Sequence, residues 1–133
     1  MKSGLVSLLT GESTVNAIVS SRVYISNAPQ KATFPHIVIT QMGSNENGAL
    51  DGNSGNLRMI DYQIDCRAKT SVGAESLGNA VRTFIDDYSG TAGSYTIGAV
   101  LMNSEVDDFE PPTDGSETGT YVVSLDLTVH FNP

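Results

Sequence analysis

Alternating apolar and polar positions dominate two stretches of the chain. In "MIDYQIDCRAK" (59–69), Ile60, Tyr62, Ile64, Cys66 and Ala68 fall on one face, and Met59, Asp61, Gln63, Asp65 and Arg67 on the other. Successive strand side chains point to opposite faces, so the spacing predicts a half-buried strand. "TYVVSLDLTVHF" (120–131) repeats the pattern: Val123, Leu125, Leu127, Val129 and Phe131 alternate with Ser124, Asp126, Thr128 and His130. The period changes in "TSVGAESLGNAVRTFIDDY" (70–88), where Leu77, Val81, Phe84, Ile85 and Tyr88 form a helical stripe. Thr70 or Ser71 suits its start, and Gly90 lies just past the expected end.

Shorter signals fill in the order. Leu5, Leu8 and Leu9, then Val15, Ile18 and Val19, recur at helical spacing on either side of Gly11. They predict two short helices, the second capped by Ser13 or Thr14. "RVYIS" (22–26), "HIVITQM" (36–42) and "SYTIGAVLM" (94–102) are strand-like. Pro29 and Pro35 make 27–35 a connector, since proline fixes its backbone and lacks an amide donor. Two polar, glycine-containing stretches, 43–56 and 103–119, are expected to be long loops joining antiparallel strands. The expected class is α+β: a small, mainly antiparallel sheet with helices on one face, in a single domain spanning 1–133.

Charge narrows the function classes. Seven basic and 15 acidic residues give a formal net charge of −8, and the basic ones are scattered, which disfavours a nucleic-acid binder. One cysteine precludes an internal disulfide framework and favours a reducing compartment. The apolar run near the start is too short for a signal peptide or membrane span, so a soluble protein made in the cytoplasm is expected.

Candidate chemistry is sparse. Asp61 and Asp65 share a strand face four residues apart, about 13 Å at strand rise. Paired glycosidase carboxylates lie about 5 to 9.5 Å apart, and ligands converge on a metal at about 2 to 2.6 Å. The two therefore form no site by themselves, although Asp126 is a possible cross-strand neighbour. "DGNSGN" (51–56) has a calcium-loop flavour but carries Asn56 and Tyr62 where that loop needs glycine and glutamate. His36 and His130 stand apart from any nucleophile motif, and Cys66 shares the apolar face, as an inert core thiol would. Neither metal nor cofactor nor catalytic residue is expected.

"RVYISNAPQKATFPHIVI", a long polar loop, "IDYQIDCRA", one helix and a closing "TYVVSLDLTVHF" together resemble the tail completion, or tail terminator, proteins of long-tailed bacteriophages. Arg22, Tyr24, Pro29, Pro35 and Asp65 carry the likeness, which spans nearly the whole chain in element order. The resemblance implies a virion tail protein without catalytic residues. It implies a ring, expected to be hexameric, that caps the finished tail tube and contacts head-tail connector proteins, with DNA passing through unbound. On that reading Asp61 and Asp65 face either a lumen or bulk solvent, and Leu50, the large apolar residue of the 43–56 loop, meets a neighbour. Another neck or tube subunit, or a small α+β enzyme or ligand-binding domain, is the competing reading.

Overall fold

The computed structural model describes residues 2–29, 32–45, 58–112 and 119–132. The expected Leu50 contact and the "DGNSGN" stretch lie outside the described residues. Three helices, α1 (Lys2–Gly11), α2 (Ser13–Val19) and α3 (Ser71–Ile85), accompany six strands. These are β1 (Val23–Ile25), β2 (His36–Asn45), β3 (Arg58–Ala68), β4 (Gly90–Ala92), β5 (Tyr95–Glu110) and β6 (Thr120–Asn132). They form one sheet in the order β1-β2-β3-β6-β5-β4, in which only the β1–β2 pair is parallel. The α+β class stands.

Period-2 patterning fixes which face of the central strands is dry. Ile60, Tyr62, Ile64, Cys66 and Ala68 of β3 and Val123, Leu125, Leu127, Val129 and Phe131 of β6 are buried. The register places Ile64 opposite Leu125, Tyr62 opposite Leu127 and Cys66 opposite Val123, so the two apolar rows meet. Leu5 and Leu9 of α1, Val15 and Val19 of α2, and Leu77, Val81 and Ile85 of α3 close this core from one side. Phe84 is only partly buried, at the stripe's margin, and stacks on Tyr88 with ring centroids 5.4 Å apart. Gly78 lets α3 lie close to β6, because a Cβ there would come 2.8 Å from Val123 Cγ1.

Several boundaries differ from the sequence expectation. Glu12 caps α2 in place of Ser13 or Thr14; its carboxylate accepts from the Val15 amide at 3.0 Å. Thr70 caps α3 as expected, accepting from the Gly73 amide at 3.0 Å. That helix stops at Ile85, short of Tyr88, and Asp87 takes the positive φ of 58° while Gly90 opens β4. A β-ladder also continues beyond the expected strand ends: β2 runs to Asn45, and residues 103–110 belong to β5 rather than to a loop. A register shift between Met102 and Ser104 marks where β5 passes from the core into this extension.

Candidate functional site

The helices cover one face of the sheet and leave the other open. Its central side chains are polar because the strands alternate: Asp61, Gln63 and Asp65 from β3, and Ser124, Asp126 and Thr128 from β6. Asp61 lies opposite Thr128, Gln63 opposite Asp126 and Asp65 opposite Ser124. Each carboxylate therefore meets a donor directly across the ladder or beside it. Ser124 Oγ donates to Asp65 Oδ1 at 2.7 Å, and Gln63 Nε2 donates to the same oxygen at 2.8 Å. Thr128 Oγ1 donates to Asp61 Oδ1 at 2.5 Å, and Asn103 Nδ2 donates to Thr128 Oγ1 at 2.9 Å. Ser104 Oγ donates to Asp126 Oδ2 at 3.1 Å.

The register thus brings Asp126 between the two β3 carboxylates without converging the three. Among the described residues no group of three or more His, Cys, Asp or Glu side chains is arranged to hold a metal. A shallow depression of about 220 Å³ touches Asp61 and Asp126 and is bordered by Met42 and Asn103. What this face offers is a row of hydroxyl-buffered negative charge.

At one end of the sheet the connector turns over the open face. Phe34 and Tyr24 pack their rings against His36, with centroids 4.6 and 5.7 Å away, and Val38 is buried beneath the same cover. His36 is only 2% exposed, and its Nδ1 lies 3.1 Å from the Thr33 carbonyl. This contact makes Nδ1 the protonated nitrogen of the neutral ring. Burial lowers its pKa below 6.5; the Thr33 bond opposes the shift, and the Arg67 and Arg22 charges add to it. A cleft of about 360 Å³ lies alongside, lined by Ser26–Pro29, Phe34, His36, Asp65 and Arg67. The Nε2 of His36 is buried without a hydrogen-bond partner among the described residues, and His130 is half-buried on the open side of β6. Cys66 is fully buried, and desolvation drives its thiol pKa far upward, so it is inert while folded.

The feature sequence reasoning missed is the distal half of β5. Residues 103–110 pair with β6 alone, because β4 reaches only Tyr95–Ile97. All eight are exposed. Arg67 spans the β6 strand to grip Glu110 with its two terminal guanidinium nitrogens, and Arg82 of α3 meets Glu105 at 3.0 Å. Phe109 stacks on Tyr121 with centroids 4.9 Å apart. Gly119 is required under that stack, since a Cβ there would sit 2.5 Å from the Phe109 ring. No alternation betrays this segment in the sequence, because neither of its faces is buried.

Comparison with known proteins follows from this architecture. The family described as "Tail completion protein gp17" matches residues 3–130. No curated protein matches the sequence. Among solved structures, a chain of "Virion of native gene transfer agent (GTA) particle" shares the fold, with a TM-score of 0.71 and 11% identity. The match covers 100% of this chain and 95% of that one.

Proposed function

Since this chain belongs to the tail completion protein gp17 family, and is a structural component of the bacteriophage tail and virion, we propose that it caps the finished tail tube as a ring and forms its head-joining surface. The whole chain acts as one tail-terminator-like domain, a reading supported by the single sheet that runs from β1 to β4 at its two edges. Six copies make the ring, and the tail tube and the connector proteins are its neighbours.

The observation that carries this reading, beyond the family, is the sheet with one dry and one wet face. A ring subunit needs a rigid body on one side and a surface that DNA can pass on the other. Asp61, Asp65 and Asp126 present negative charge on the open face, and the arginine nearest to them on it among the described residues, Arg67, is paired with Glu110. Such a face does not hold phosphate, so it suits a lumen wall. The reading needs no catalytic step, and no residue is given one.

Deleting the gene from a phage or prophage that encodes it tests the role. Heads without joined tails, and tail tubes of irregular length, are expected under electron microscopy. Normal joined particles from the deletion strain would remove the completion role.

A further inference from the structure

The distal edge of β5 is long, has no strand beside it among the described residues, and is apolar in part. Val106 is 55% exposed and Phe109 47%. An edge of this kind is a template for association unless it is guarded or covered. Four carboxylates punctuate it: Glu105, Asp107, Asp108 and Glu110. Arg82 and Arg67 answer the first and last, whereas Asp107 and Asp108 have no ion-pair partner among the described residues. Guarding explains the charge and the Tyr121 ring engages Phe109, but Val106 is left exposed.

The chain carries its own complement to this edge. Val23 pairs with Ile37, His36 with Arg67, Arg67 with Val122, and Val122 with Asp108. The start of β1 and the tip of β5 therefore lie at the same end of the sheet, on opposite sides. Four strand spacings separate them, about 19 Å. Cations lie on the β1 side of that end: Arg22 just before β1, and Lys69 just after β3, two strands in from β1. Arg22 is pinned by donating to the Pro35 and Ile18 carbonyls. Lys69 is exposed, with its ammonium leaning on the Phe34 ring, Nζ 4.4 Å from the centroid. Ile25 adds an exposed apolar side chain on the same strand.

These placements select among contacts. Two β5 edges meeting about a two-fold axis would set Asp107 and Asp108 against their own copies, which like-charge repulsion disfavours. The acidic edge of one copy against the Arg22–Lys69 corner of the next is attractive. A head-to-tail contact of this kind repeats from copy to copy, and it makes a ring where its rotation closes. We propose that the acidic distal edge of β5 docks on the Arg22–Lys69 corner of a second copy of this chain, as the head-to-tail contact of the assembly. The inference rests on the ring reading above and assigns its subunit interface.

Native mass spectrometry of the full chain over a concentration series, at low and high salt, tests it. Asp107→Lys with Asp108→Lys, and separately Lys69→Glu, are each expected to weaken association about tenfold or more. Combining all three in one chain is expected to recover most of the loss, as a charge exchange across a contact does. Thermal melts of the variants, all at exposed sites, check that they fold. Rings that survive Asp107→Lys with Asp108→Lys, or a combined variant no better than its parents, would overturn the contact and leave the ring reading standing. A native chain that stays monomeric throughout, both alone and with tube ends added, would overturn the ring reading and this contact together.

Discussion

His36 concentrates the residue-scale physics. It occupies the open face by strand parity, yet Phe34 and Tyr24 hold it out of water as a neutral ring. Its folded pKa is below 6.5, so between 6.5 and that lower value the unfolded chain binds more protons than the native one. Stability from this group is full above about pH 6.5 and declines as the pH falls through that window. Denaturant melts from about pH 7.5 to about pH 5.5 are expected to show the decline, and His36→Phe to flatten it. An equal slope in the variant would assign the pH dependence elsewhere. Asp61 and Asp65 behave differently. Their bonds come from hydroxyl and amide donors on a wet face, and Asn retains an acceptor oxygen for each. Replacing both with Asn is expected to cost less than about 1 kcal/mol by chemical denaturation.

At the scale of elements, burial decided what the sequence could reveal. The alternation in 59–68 and 120–131 and the stripe Leu77, Val81, Ile85 were legible because each segment has one dry and one wet side. The extension of β5 was not, because "NSEVDDFE" is wet on both faces and is held in the sheet by β6 and two arginines. Three-residue β4 was too short to carry a period. The Glu12 cap was hidden because serine and threonine, the more usual caps, follow it directly. The same contrast sets local stability. Amide exchange is expected to be slowest at the centres of β3 and β6 and fast over 103–110 in the free chain, with protection of 103–110 appearing on assembly. Slow exchange there in a proven monomer would mean that the arm is stabilised internally. Within α3, Leu77→Ala is expected to cost about 2 to 5 kcal/mol, and Phe84→Ala distinctly less, because Phe84 keeps contact with solvent. Equal losses would place Phe84 in the core after all.

For the whole molecule, the tail role was visible as a resemblance in element order and a few residues, and the family match over 3–130 supports the same assignment. The direction in which the open face looks was not legible, since strand alternation gives a polar side whether it faces a lumen or bulk water. Charge offers a way to separate these. A formal charge of −8 and the hydroxyl-buffered row Asp61, Asp65 and Asp126 predict that the native chain does not retain duplex DNA on a filter at about 0.15 M salt. Converting Asp61 and Asp65 to Lys adds two cations per copy to the open face, and a ring multiplies that by its copy number. If the face lines a lumen, cations on it lie along the path of DNA, and each phosphate contact steepens the dependence of affinity on salt. Particles carrying Asp61→Lys and Asp65→Lys are then expected to assemble normally and to release their DNA slowly, with the delay relieved by raised salt. If the face looks outward, the same particles release DNA at the native rate, while free variant protein still binds DNA in solution. Measuring both release and free binding on one variant therefore separates a lumen wall from an outer surface.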